Sequence, residues 1–213
     1  MTDIIFRDKI KVLIDSLKSL CANFGLGNDG NEFKIITQVF LYKFMNDKFT
    51  FETKLLDDKL KNCANWEKEI SNYNENDYEM LLLKLGADTA ILKPEHFISV
   101  LFDRQNEPEF AKLFDDTLMD VAITNNEIFS VKTEGGAKVR LFDRVTEYIS
   151  DTSKRDDFAR AVINKIVSVS FENIFNQKYD FYATIFEYLI KDYNKDGCGE
   201  LVVKSLDGNR QGG

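Results

Sequence analysis

The sequence predicts an all-α protein, an irregular bundle of roughly eight or nine helices. Proline occurs only 2 times in 213 residues, and scarce proline favours helices over short strands joined by tight turns. Charged residues make up 30% of the chain, and 18 phenylalanines supply material for a core. Apolar residues also recur at steps of three and four in several segments, which is the spacing of one helix face.

The first two helices have the clearest pattern. Residues 10–24 carry an apolar face with charged residues between its members, as in an amphipathic helix. Three glycines within 25–30 then supply the backbone freedom of a loop. A second helix is predicted after this loop. The apolar positions of the two faces are Ile10, Leu13, Ile14, Leu17, Leu20, Cys21 and Phe24, then Phe33, Ile36, Val39, Phe40 and Phe44.

The middle of the chain gives weaker signals. Short helices are predicted around 55–60 and around Trp66. The segment 80–85 is apolar nearly all round, so we expect it to be buried. Pro94 and Pro108 each stand where a helix can begin, because the first turn tolerates a missing N–H. The amphipathic face predicted after the second proline is Phe110, Leu113, Phe114, Leu118, Val121 and Ala122.

The last third is predicted to continue as helices. Two glycines at 135–136 interrupt the chain before a new apolar set. Ser153 followed by Asp156 resembles a capping box for a helix over 158–169. A final helix is predicted over 180–193. The apolar set after the glycines is Val139, Phe142, Val145, Tyr148 and Ile149.

Cysteine usage indicates a reducing compartment. Cys21, Cys63 and Cys198 are far apart and predict neither a disulfide framework nor a zinc knuckle. The N-terminal residues include acids where a secretory signal needs a basic start and an apolar run. No stretch approaches the roughly 18 continuous apolar residues of a membrane-spanning helix. We therefore expect a cytoplasmic protein without membrane contact.

Most enzyme chemistry is excluded by missing residue types. His96 is the only histidine, which rules out a His-rich metal site, and we expect it at the surface or at a helix cap. The segment 25–30 has the letters of a dinucleotide-binding loop, but it follows an amphipathic helix instead of a buried strand and is interpreted as an ordinary loop. Adjacent carboxylates are interpreted as surface charge. These pairs are Asp57-Asp58, Asp115-Asp116 and Asp156-Asp157.

One segment near the C-terminus imitates a metal site. Residues 192–197 place oxygen-bearing side chains at alternate positions before a glycine, as in the first half of an EF-hand calcium loop. The position where a Glu should close such a loop is Val203. The segment is interpreted as a polar helix end, and a calcium-responsive protein is kept as an alternative.

Charge is unevenly distributed along the chain. The net charge is −8; residues 1–130 hold 15 basic and 23 acidic residues, whereas residues 131–165 hold 8 and 6. The positive stretch is either a solvated helical face or a basic patch for a polyanion. In the first case its arginines pair with Asp143, Glu147, Asp156 and Asp157. In the second case the DNA-binding candidates are Lys138, Arg140, Arg144, Lys154, Arg155 and Arg160.

Two segments have patterns more specific than helical periodicity. Residues 32–49 contain an apolar run, an aromatic–Lys element at Tyr42-Lys43 and an Asp-Lys-Phe ending at 47–49. Residues 179–197 begin Tyr-Asp-Phe-Tyr-Ala and end Tyr-Asn-Lys-Asp-Gly. Together they resemble the N-terminal helical region of the DNA methyltransferase (modification) subunits of type I restriction–modification systems. The resemblance covers about residues 3–199.

The resemblance implies a helical N-terminal domain over 1–199 of an adenine-specific DNA methyltransferase subunit. In the family this region helps to clasp double-stranded DNA and assembles with the specificity and restriction subunits. Methylation belongs to a following domain, which binds S-adenosylmethionine and carries an Asn-Pro-Pro-aromatic motif where an extruded adenine stacks. This sequence has no adjacent prolines. We therefore expect no catalytic, cofactor-binding or metal-binding residue in it, and no activity by the chain alone.

After Gly199 the sequence departs from the family pattern. Residues 200–213 are expected to form a divergent, disordered tail. A truncation, an artificial end and a change of reading frame remain open as explanations.

The net charge bears directly on the expected function. A domain at −8 should bind DNA poorly alone, because Lys and Arg that neutralise phosphates supply most non-specific affinity. We therefore expect a basic partner to complete the DNA site. A helical protein-interaction module with no DNA role is the alternative.

Overall fold

The computed structural model describes residues 2–27, 30–87, 89–126 and 141–175, with side chains from residue 8 onward. Every regular element in these ranges is helical, which confirms the all-α prediction. The α-helices of the described part are α1 (Thr2–Asn23), α2 (Gly30–Leu56), α3 (Asp58–Lys61), α4 (Trp66–Ser71), α5 (Glu75–Leu82), α6 (Ile98–Asp103), α7 (Phe110–Thr124) and α8 (Arg155–Val167). Single 3₁₀ turns are formed by Pro94–His96, Val145–Tyr148, Thr152–Lys154 and Glu172–Ile174.

Helices α2 and α8 organise the core. Helix α2 buries residues around most of its circumference, among them Ile36, Tyr42 and Phe49. Helix α8 packs against α1, α2, α6 and α7, and it buries Phe158 and Ile163 completely. Each such side chain contributes about 1.5–3 kcal/mol relative to an exposed position. The apolar faces predicted for α1 and α7 are directed into this core.

The glycine loop after α1 ends that helix in the predicted way. Gly25 has a φ of 84°, a left-handed conformation that costs glycine little. Its N–H donates to the carbonyl of Ala22 at 3.0 Å, and the N–H of Leu26 donates to the carbonyl of Cys21 at 2.9 Å. This pair of bonds is a Schellman motif, and the burial of Leu26 completes it.

The helix predicted around 55–60 is in fact the junction of two helices. Helix α2 continues to Leu56, and the short helix α3 begins at Asp58. Asp57 separates them, since its side chain accepts a hydrogen bond from the N–H of Lys59 at 2.8 Å and caps α3. A side chain that bonds the following backbone competes with helix continuation, so the single-helix prediction was wrong.

The expectation that 80–85 is buried was also wrong. Met80 is 56% exposed and Leu83 is 80% exposed, whereas Leu81 is buried. Helix α5 is short and packs along one face only, so an apolar run longer than that face must place some members in solvent.

Proline and capping signals were partly correct. Pro94 begins a 3₁₀ turn as predicted. Pro108 does not begin α7 as predicted. The residue between them, Glu109, has a left-handed φ of 57°, and the helix begins only at Phe110. The capping box of Ser153 and Asp156 is absent, since Asp151 accepts the N–H of Ser153 at 3.1 Å instead.

The apolar set after the predicted glycine break does not form a long helix in the described residues. It contributes the 3₁₀ turn Val145–Tyr148, and Phe142, Val145 and Ile149 are nevertheless buried. The helix predicted over 180–193, the EF-hand-like segment, Cys198 and the tail over 200–213 lie outside the described residues.

Candidate functional site

Arg144 is a half-exposed arginine of the predicted basic patch. It precedes the 3₁₀ turn Val145–Tyr148, and its side chain is 40% exposed. One guanidinium N–H donates to Asp116 of α7 at 2.7 Å, and Glu147 lies 3.9 Å away. Asp116 therefore holds the pKa of Arg144 above its usual range. Lys138 and Arg140, two further candidates, lie outside the described residues.

Lys154 and Arg155 lie at the start of α8. Lys154 is exposed and its ammonium is 3.6 Å from Asp151. Arg155 donates to backbone carbonyls, to Ile149 at 3.0 Å and to Glu147 at 3.4 Å. The guanidinium of Arg155 thus ties the start of α8 to the preceding turn.

Arg160 lies one turn further along α8 and is bound on several sides. Its guanidinium contacts Asp157 at 2.8 Å and Asp156 at 3.6 Å. It also donates to the carbonyl of Gln105 at 2.8 Å. Ion pairing within the chain was the alternative to a DNA-binding patch, and Arg144 and Arg160 both form such pairs.

Arg144 and Arg155 line one groove together with Lys112 of α7. The groove has a volume of about 690 Å³. Four carboxylates share its lining with the three cations, and they belong to Glu109, Asp115, Glu147 and Asp156. Because the carboxylates slightly outnumber the cations, the groove alone presents no strongly positive field to phosphate. Exposed pairs of this kind contribute only about 0–1 kcal/mol, so a polyanion can compete for their cations.

Two of the carboxylates interpreted as surface charge have structural roles instead. Asp115 is buried, and it accepts the N–H of Thr146 at 3.1 Å and the hydroxyl of the same residue. Burial raises the pKa of Asp115, and these hydrogen bonds oppose the shift. Asp156 accepts the N–H of Ala111 at 2.8 Å and so caps α7 from a neighbouring helix.

The sequence predicted His96 either at the surface or at a helix cap. The structure places it at a cap, and it is buried. Its ring is 1% exposed. Nδ1 accepts the N–H of Lys93 at 3.2 Å, so the ring proton is assigned to Nε2, which donates to Asp120 at 2.8 Å. Burial lowers the pKa of His96, in keeping with a neutral ring.

Glu95, His96 and Asp120 place their ligand atoms within 4.8 Å of one another. A metal on Nε2 would require the ring proton to move to Nδ1. Nδ1 faces the N–H of Lys93, so two N–H donors would then point at each other. The ammonium of Lys93 already contacts Asp120 at 2.6 Å. The donor set therefore fits a hydrogen-bonded ion pair better than a metal ion.

The segment 42–49 carries a buried polar network that sequence patterns did not reveal. The ammonium of Lys43 lies 2.9 Å from the carboxylate of Asp47, and both side chains are nearly inaccessible. Asp47 also accepts the N–H of Phe171 at 2.7 Å. Burial raises the pKa of Asp47, while Lys43 lowers it. The pair thus fixes α2 to the segment that follows α8.

The segment 42–49 also binds the residues around His96 and Ile98. The hydroxyl of Tyr42 donates to the carbonyl of His96, and Asn46 accepts the N–H of Ile98 at 3.0 Å. Both bonds join α2 to the 3₁₀ turn and helix α6. The Lys43–Asp47 pair lines a polar cavity of about 290 Å³. An i, i+4 pair of opposite charges inside an apolar helix was the one signal in the sequence that could have indicated this network.

The comparisons with known proteins returned no match: no family model, no curated protein and no solved structure is similar to the chain. In the part of the chain that the structure describes, no helix has the length and apolar character needed to cross a membrane.

Proposed function

We propose that this chain is the N-terminal helical domain of the adenine-specific DNA methyltransferase subunit of a type I restriction–modification system. The observation that carries the proposal is the position of residues 32–49, which lie entirely within α2. The elements that define the resemblance, Tyr42-Lys43 and Asp47-Lys48-Phe49, include the residues that bind α2 to distant segments. A motif with this role is expected to recur together with the fold, and this expectation supports the proposal.

The domain contributes to DNA clasping only within an assembly. Its net charge of −8 and the mixed charges of the Arg144 groove both oppose binding of a polyanion by the chain alone. A basic specificity subunit would supply the missing cations. Arg144 and Lys154, whose side chains are 40% and 61% exposed, would add positioning contacts to phosphates.

A protein-interaction module without a DNA role is the second candidate. It is favoured by an apolar groove of about 610 Å³ between α1 and the end of α8, lined by Val12, Leu13 and Val169 among others. Val12 is 67% exposed in this groove.

Binding to the specificity subunit separates the two candidate functions. We expect the chain to form a stable complex with the specificity subunit encoded with it, because assembly is the role that the proposal assigns to this domain. Isothermal titration of the chain into that subunit measures the interaction directly. Saturable binding supports the proposal, and an absence of heat and of co-migration on gel filtration would contradict it.

A further inference from the structure

Helix α5 packs with little of its surface. Leu81 is its one buried residue, and Tyr78 and Leu82 are half-buried. The helix is nonetheless held firmly, since Asn74 caps it by accepting the N–H of Asp77 at 2.9 Å and the hydroxyl of Tyr78 donates to the carbonyl of Leu92. The opposite face is therefore a preformed solvent surface.

The exposed face of α5 has an apolar centre. Met80 is 56% exposed and Leu83 is 80% exposed. Leu83 caps the C-terminus of α5 with helical dihedral angles. Residues three apart lie on the same side of a helix, so these two side chains form one apolar stripe. A cleft of about 260 Å³ lies beside Met80 toward α3 and α4, and its lining is mainly polar: it includes the carboxylates of Asp57, Glu69 and Asp77 and the ammonium groups of Lys59 and Lys84.

Most of the charges that border the stripe are acidic. At about 100° per residue, Glu75 and Glu79 lie on one side of Met80 and Leu83, and Asp77 lies on the other beside Lys84. Residues 65–85 hold 5 carboxylates and 2 lysines. The surface thus combines exposed apolar anchors with a negative rim.

We propose that this surface of α5 is a docking site for a basic partner, a helical segment of another protein that presents an apolar stripe between lysines or arginines. Charge complementarity selects this occupant, because a negative rim attracts cations and repels like charge. A second copy of this chain is the wrong partner, since two molecules at −8 would bring acids against acids. The identity of the natural partner rests on the proposed function, which requires a basic specificity subunit.

A synthetic amphipathic peptide tests the surface. The probe is a helix of about four turns with leucines on one face and lysines on the other, titrated by fluorescence anisotropy near physiological ionic strength. The variant Met80→Glu/Leu83→Glu removes the apolar anchors and adds two carboxylates. Docking on α5 predicts that the variant binds about tenfold more weakly or worse, whereas attraction by charge alone predicts tighter binding.

A matched variant controls for the added charge. Leu55 and Ile123 are 59% and 70% exposed on α2 and α7, so Leu55→Glu/Ile123→Glu changes charge equally at other sites. We expect this variant to bind the peptide as well as the parent does. All three proteins should have the same circular dichroism, because none of the changes is in the core. Equal or tighter binding by the α5 variant, equal loss in both variants, or no binding by the parent would overturn the proposal.

Two further measurements separate this proposal from the proposed function. If the parent binds the peptide through α5 but does not bind the specificity subunit, the docking surface stands and the proposed function fails. If the parent binds the subunit and Met80→Glu/Leu83→Glu binds it equally well, the docking surface is wrong and the function stands.

Sedimentation that shows a dimer of the parent and a monomer of the α5 variant would assign the surface to a second copy and overturn the basic partner.

Discussion

Replacing Asp47 by Ala should destabilise the protein by about 3–5 kcal/mol, because it leaves a buried lysine without its counter-charge. The ammonium of Lys43 lies 2.9 Å from Asp47 in a nearly inaccessible position. The substitution also removes the acceptor of the Phe171 N–H. Urea unfolding followed by circular dichroism measures the loss.

Two further variants show whether the charge is the cause. Lys43→Met/Asp47→Asn removes both charges and keeps an acceptor for Phe171, so it should recover at least half of the lost stability. Glu107→Ala breaks an exposed ion pair with Arg104 of 2.9 Å and should leave the urea midpoint unchanged. An Asp47→Ala protein as stable as the parent, or a double variant no better than Asp47→Ala, would refute this account of α2.

The second large effect is expected at Asn125, at the end of α7. Its side chain accepts the N–H of Ile91 at 2.7 Å and donates to the carbonyl of Ile91 at 2.8 Å. It is completely buried. Asn125→Ala leaves both backbone groups without partners, and we expect a loss of about 2–4 kcal/mol.

The neighbouring residue offers a direct comparison. Asn126 is exposed, so Asn126→Ala changes the same residue type without affecting Ile91. Thermal unfolding should show a lowered Tm for Asn125→Ala and an unchanged one for Asn126→Ala. Equal midpoints for the two variants would show that the bonds to Ile91 do not stabilise the fold.

Helix positions with a strong period were predictable from the sequence, and polar burial was not. The faces of α1 and α7 follow directly from apolar spacing, and the loop at Gly25 follows from its glycine. Asp115 and His96 could not be placed, because their burial depends on partners at Thr146 and Asp120 that are distant in sequence.

The candidate DNA patch shows the same limit. The charge pattern of the sequence grouped Arg144, Arg155 and Arg160, and the structure places Arg144 and Arg155, but not Arg160, in the lining of one groove. The pattern could not show that Asp116 reaches Arg144 from another helix. The exposure of Met80 and Leu83 could not be predicted either. An apolar run indicates burial, and only the structure shows how much of the run the packed face of the helix covers.

We propose that this domain engages DNA only together with a basic partner. Fluorescence anisotropy of a labelled duplex, over a series of salt concentrations, tests it with the chain alone, the specificity subunit alone and the two together. We expect no binding by the chain alone, and tighter binding with a steeper salt dependence for the complex than for the subunit. Arg144→Ala in the complex should reduce the salt slope by about 1. Salt-dependent binding of the duplex by the chain alone, or a subunit affinity that the chain leaves unchanged, would contradict the claim.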